Sequence, residues 1–73
     1  MKRYYVRFES DEIVCGSNEH HYCNFSKREV AVHAAKRLKT EEEWQEVNAR
    51  NIRVYDTWQD DENGHAKVIF EIA

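Results

Sequence analysis

The sequence contains no proline and only two glycines, Gly16 and Gly64, in 73 residues. The first absence excludes a proline-rich linker, and the second excludes a glycine-rich loop that could cradle a phosphate. Two cysteines, Cys15 and Cys23, are too few for a disulfide framework, so two reduced thiols are expected. No apolar run approaches the roughly 20 residues needed to cross a bilayer. The basic start Met1-Lys2-Arg3 has no apolar signal core behind it. A cytoplasmic, unprocessed chain without a membrane partner is expected. HExxH and nucleophile-elbow motifs are missing too. A formal net charge of −3 lacks the basic excess with which a duplex-DNA binder displaces counterions.

What is present is ordinary globular material with a heavily charged exterior: 41% hydrophobic, 12% aromatic and 34% charged residues. There is no internal repeat, and the length suits a single compact domain over residues 1–73. One small core yields thin net stability, which a dimer or a bound partner would raise.

The organising stretch runs from Phe25 to Leu38. Ser26 followed by Glu29 has the spacing of a capping box. After it, Val30, Ala31, Ala34 and Leu38 recur at helical spacing, while Lys27, Arg28, Lys36, Arg37 and Lys39 point away. A lone helix of this length is marginal in water, so its apolar side is expected to pack on a sheet. Thr40 and Glu43 repeat the capping-box form ahead of Trp44 and Val47. One helix over residues 27–48 would be about 33 Å long, against about 25 Å for an eight-residue strand. A break near Lys39-Thr40, with a second short helix after it, is therefore expected.

The flanking segments alternate with period two. Tyr4, Val6 and Phe8 face one side and Tyr5, Arg7 and Glu9 the other. After a turn over residues 16–19, with Val14 opposite His21, the stretch from His20 to Phe25 returns as a second strand. Later, Ile52, Val54 and Trp58 face inward and Arg53, Tyr55 and Thr57 outward, with Asp56 on the inward side, near an edge or paired with a cation. In the last segment Ala66, Val68, Phe70 and Ile72 face inward and Lys67, Ile69 and Glu71 outward. A two-residue Asn63-Gly64 hairpin would oppose Trp58 and Ile69, mixing the faces. A three-residue loop over 62–64 with Gly64 left-handed sets Trp58 opposite Val68 and Val54 opposite Ile72. The expected fold is α+β: a sheet of about four strands, in the order β-β-α-(short α)-β-β, with helix on one face.

Cys15, His20, His21 and Cys23 are zinc-type ligands, but two cysteines eight residues apart do not form a zinc knuckle, and the strand register splits the four between two faces. A small Cys/His metal-binding domain is thus an alternative reading, with two polar surface histidines and two small buried or half-buried thiols ahead of it; no cofactor and no metal site are assigned. A thiol beside a histidine lacks the orienting group, oxyanion hole and cleft of a cysteine hydrolase. His33, on the helix flank, reads as a solvated imidazole. No catalytic residue is assigned and the chain is not expected to be an enzyme.

The outward sheet face and the acidic clusters carry more. Arg3, Tyr5, Arg7, Arg53, Tyr55 and Lys67 interleave rings and cations, as single-stranded nucleic acid requires, although Glu9 and Glu71 share the face. Glu41, Glu42, Glu43 and Glu46 form one acidic group, and Asp60, Asp61 and Glu62 another. Carboxylates on rigid elements can enter a basic groove of another protein. The reading is a non-catalytic protein-interaction module, a small acidic inhibitor or modulator of a larger, nucleic-acid-handling protein. Its binding residues are Tyr5, Arg7, Arg53, Tyr55, Ile69, Glu42, Glu43, Asp60 and Asp61. The partner is a larger protein or a second copy, and single-stranded nucleic-acid binding through the outward face is the alternative.

Overall fold

The computed structural model describes residues 2–73. Its six elements are β1 (Tyr4–Val14), β2 (Ser17–Phe25), α1 (Arg28–Thr40), α2 (Glu42–Glu46), β3 (Arg50–Asp60) and β4 (Ala66–Ile72). The strands form one sheet in the order β2-β1-β3-β4, each neighbouring pair antiparallel. The α+β class and the element order agree with the sequence pattern. The helices form the crossover from edge strand β2 to β3, which pairs with the far side of β1.

Period-two alternation puts Tyr4, Val6 and Phe8 of β1 and Ile52 and Val54 of β3 on the helical side. There they meet Ala31, Ala35 and Leu38 of α1 in one buried core, with Trp44, Ile69 and Phe70 packed around it. The small side chains at 31 and 35 let the helix backbone lie close to the sheet. The buried stripe of α1 is Ala31, Ala35 and Leu38, so Val30, expected in that stripe, is turned out and 47% exposed.

Neither expected capping box forms. α1 begins at Arg28 behind the extended Lys27, and α2 begins at Glu42 behind the extended Glu41, with no side-chain cap at either. Ser26 and Thr40 each lie one residue too early to cap. Thr40 Oγ1 instead donates to the Lys36 carbonyl at 3.1 Å. The break after α1 falls where expected, and Gln45 Nε2 donates to the Leu38 carbonyl at 3.0 Å, satisfying an acceptor at the end of α1.

The hairpins differ from the sequence reading. Cys15 (φ 53°) and Gly16 (φ 79°) are both left-handed and form a two-residue turn, with Val14 opposite Ser17. Consequently β2 starts at Ser17, and His21 pairs with Arg7 rather than Val14. Gly64 is left-handed as expected, at φ 79°. The strands around it, however, pair as Ile52 with Ile72, Val54 with Phe70, Tyr55 with Val68, Asp56 with Lys67 and Asp60 with Ala66.

That ladder has two irregularities. Between Val54 and Tyr55 it skips Ile69, and residues 57–59 have no counterpart between Lys67 and Ala66. Each extra residue reverses the parity beyond it. Ile69, expected outward, packs against the core. Val68, expected inward, lies opposite Tyr55 on the other face, and Lys67, expected outward, stands opposite the buried Asp56. Trp58, expected inward, is 65% exposed.

Leu38→Ala is expected to lower the unfolding free energy by about 3 kcal/mol, and Val30→Ala by less than about 0.5 kcal/mol, in urea titrations. Cys15→Asn, which relieves a left-handed residue with a poorly suited side chain, is expected to add up to about 1 kcal/mol in the same assay.

Candidate functional site: the uncovered sheet face

The face of the sheet opposite the helices is built around one cross-strand pair. Tyr5 of β1 lies opposite Tyr55 of β3, and their rings stack with centroids 4.7 Å apart and planes 12° from parallel. His21 of β2 tilts over Tyr5 at 5.6 Å. The Arg53 guanidinium sits 5.8 Å from the centre of the Tyr55 ring. Val68 extends the apolar strip on the far side of Tyr55.

One step along the strands, Arg7 stands opposite Arg53, like charges that repel when they face each other. Glu19 of β2 relieves this, with Oε1 at 3.0 Å from Arg53 Nη2 and 3.3 Å from Arg7 Nε. The second contact is within ion-pair range but off-axis, so Arg7 Nε lacks a hydrogen-bond acceptor. Arg53 Nε donates to the Asn51 carbonyl at 3.1 Å, and Asn51 Nδ2 donates to Glu9 Oε2 at 3.0 Å. Burial, and secondarily the neighbouring Tyr55, push the Tyr5 phenol above its ordinary pKa. The two stacked rings are held in place before any partner arrives, chemistry suited to recognition.

Tyr5, Arg7, Arg53 and Tyr55 thus converge as the alternation implies. The rest of the expected set does not join them. Ile69 lies on the core side and Val68 takes its place. Glu42 and Glu43 are exposed on α2, just before β3 begins, while Asp60 and Asp61 lie where β3 ends. Asp61 is occupied locally: its Oδ1 accepts the His65 N–H at 3.0 Å and the Asn63 N–H at 2.8 Å. These bonds, that from His65 foremost, hold its pKa below the usual carboxylate range. Among the described residues no helix is long and apolar enough to cross a membrane.

Arg3 is diverted from the sheet face by Asp56. Asp56 is 1% exposed, and a buried carboxylate without donors is costly. Arg3 Nε and Nη2 donate to its two oxygens at 2.8 Å each, the Trp58 N–H adds a bond of 2.9 Å and Gln59 Nε2 one of 2.7 Å. The Arg3 guanidinium also lies 4.6 Å from the Trp58 ring centre. The hydrogen bond from Arg3 is the main cause holding the Asp56 pKa far below its ordinary 3.8, and it outweighs the opposing effect of burial.

The Cys and His residues do not converge. His20 Nε2 is 3.0 Å from both Ser10 Oγ and the Glu12 carbonyl oxygen. A carbonyl only accepts, so this nitrogen carries the proton and cannot take one from Ser10, whose oxygen accepts from the Glu12 N–H at 3.2 Å. The Ser10-His20 pair therefore braces a bulge and is not poised as nucleophile and base. His21 lies on the opposite face against Tyr5, and both cysteines, expected buried or half-buried, are free and exposed: Cys15 sits in the β1-β2 turn and Cys23 on the edge strand β2. Among the described residues no group of three or more His, Cys, Asp or Glu side chains is placed to hold a metal ion.

His21, Glu19 and Val68 belong to this face, whereas the sequence pattern reads His21 as a zinc-type ligand, Glu19 as part of a turn and Val68 as inward. Their placement depends on bulges, whose one trace in the sequence is the unbroken apolar run Val68-Ile69-Phe70. Comparison with protein-family models, with curated proteins and with solved structures finds no match in any of the three. The geometry of the face alone carries the functional reading.

Because the folded-state pKa of Asp56 is depressed, its stabilising effect is complete above the ordinary value of 3.8 and drains away as the pH falls from there toward the folded value. Asp56→Asn is expected to be less stable than the native chain at pH 7 and to lose less stability on acidification through this window. Urea midpoints at pH 7, pH 4.5 and pH 3 measure both effects, and equal slopes for the two proteins would refute the assignment.

Proposed function

We propose that the chain is a non-catalytic protein-interaction module that docks a larger protein through the uncovered face of its sheet. The observation that carries this reading is the stacked Tyr5-Tyr55 pair, which lies half-buried on a face no helix covers. Tyrosine and arginine are the side chains that dominate interface energetics, and rings already held in place cost little further entropy on binding. Glu19, shared between Arg7 and Arg53, gives the face a mixed charge pattern that selects partners by complementarity.

Glu42 and Glu43 at one end of β3 and Asp60 at the other keep the acidic character that suits a modulator of a basic, nucleic-acid-handling protein. A cytoplasmic setting fits two exposed free thiols. Protein binding is favoured over single-strand binding because the latter needs unneutralised cations beside its stacking rings. Here Arg3 is engaged by Asp56 and the two sheet arginines share Glu19.

With the native chain and a Tyr5→Ala/Tyr55→Ala double variant as baits in cognate cell extract, a protein partner is expected on the native chain and reduced about tenfold or more on the variant. Equal recovery on both baits sinks the reading. Titration with labelled oligo(dT) at low salt is expected to be flat. Saturable binding that weakens with salt and with Tyr5→Ala would give the face to single strands instead.

A further inference from the structure

A second concave surface lies on the helical side, where β1 outruns β3. β1 pairs with β3 only as far as Glu9 opposite Arg50. Beyond that point it continues with β2 alone, and four of its residues, 10–13, stand against the single Asn18. This bulged arm is tied to the end of α2 by the Asp11 N–H, which donates to the Val47 carbonyl at 2.8 Å. Between arm and helix runs a groove whose apolar floor is Phe8, Val14, Trp44 and Val47. Trp44 is held edge-on by Phe8 at 5.5 Å and by Tyr22 at 5.4 Å.

Ser10 Oγ in the groove accepts from His20 Nε2 and from the Glu12 N–H, and His20 Nε2 is shared with the Glu12 carbonyl, so these polar groups are turned toward one another and the rest of the lining is apolar apart from Glu12. An occupant therefore needs an apolar anchor. Val14, at the outer end of this floor, is 50% exposed, so the anchor position is open to solvent. Charge selects the kind of anchor. Glu12 lines the groove, Glu42 and Glu43 precede Trp44, and Glu46 precedes Val47. All four are exposed, and among the described residues none has an ion-pair partner. An acidic partner would be repelled by Glu12 and by the acidic α2, whereas a cationic one would be attracted by both.

We propose that this groove binds a basic peptide segment of a partner protein. An aliphatic or aromatic anchor seats against Val14, Trp44 and Val47, and flanking lysines or arginines meet Glu12, Glu42, Glu43 and Glu46. The site lies on the helical side of the sheet and does not depend on the Tyr5-Tyr55 face.

The test uses the full chain carrying Trp58→Phe, which leaves Trp44 as the sole tryptophan. The probe is a synthetic amphipathic peptide of lysine and leucine, with two controls: the same peptide with glutamate for lysine, and oligolysine of equal length. The lysine-leucine peptide is expected to bind saturably, to change Trp44 emission and to weaken with added salt. Val14→Asp, and separately Glu42→Gln/Glu43→Gln/Glu46→Gln, are each expected to weaken it about tenfold with circular dichroism unchanged. Tyr5→Ala/Tyr55→Ala is expected to bind the peptide as the native chain does.

Unchanged Trp44 emission, equal binding of the glutamate peptide, or undiminished binding by Val14→Asp would overturn the proposal. So would oligolysine binding as tightly as the lysine-leucine peptide, since that needs no groove. Self-association abolished by Val14→Asp would also overturn it, by giving the groove to a second copy.

Discussion

Val6 stands opposite Val54 at the centre of the sheet, and that alignment of two strands far apart in the chain decides both faces at once. Fully burying a valine is worth about 1.5–3 kcal/mol, whereas an exposed like-charge pair costs about 1 kcal/mol or less. The register that seals the valines under α1 therefore prevails, although it sets Arg7 opposite Arg53. It also sets Tyr5 opposite Tyr55. A slip of one residue would turn the valines to solvent and the tyrosines to the helix. The candidate recognition face is in this sense the reverse side of the core.

The same inward row runs on from Ile52 and Val54 to Asp56, and there the apolar pattern stops. A carboxylate in that layer has to be met by donors, and they come from both directions along the chain. Arg3 closes over it from the start of β1, while the Trp58 backbone N–H turns back to it. That local hydrogen bond competes with the ladder. Residues 57–59 leave the register, and Trp58 is carried out to solvent beside Arg3. Packing β1 and satisfying one buried acid are thereby coupled at the end of the sheet farther from α2.

Two surfaces with different electrostatic character result. On the open sheet face, Glu19 lies between two arginines and offsets part of their charge, beside a stacked aromatic pair. At the other site, Glu12 lines an apolar floor and has no ion-pair partner among the described residues, and α2, which supplies Trp44, carries three more exposed glutamates. On the proposed readings, a partner of the first would gain from stacking and complementary shape, and one of the second from long-range attraction followed by burial of an anchor. The acidic hairpin between β3 and β4 belongs to neither, and its Asp61 serves to shape the loop.

Local pattern alone determined the element order, the α+β class, the break after Thr40, and the split of Tyr4, Val6 and Phe8 from Tyr5 and Arg7. Each follows from a period or a chain break that neighbouring residues impose on one another. The tertiary structure decided where the period is interrupted. The bulges around Tyr22, over residues 10–13, at Ile69 and over 57–59 answer to distant partners, such as Val47 for the arm and Arg3 for Asp56. Each inserted residue reverses the facing of those beyond it, which is why Ile69 and Trp58 exchanged their expected sides while Tyr5 and Tyr55 kept theirs.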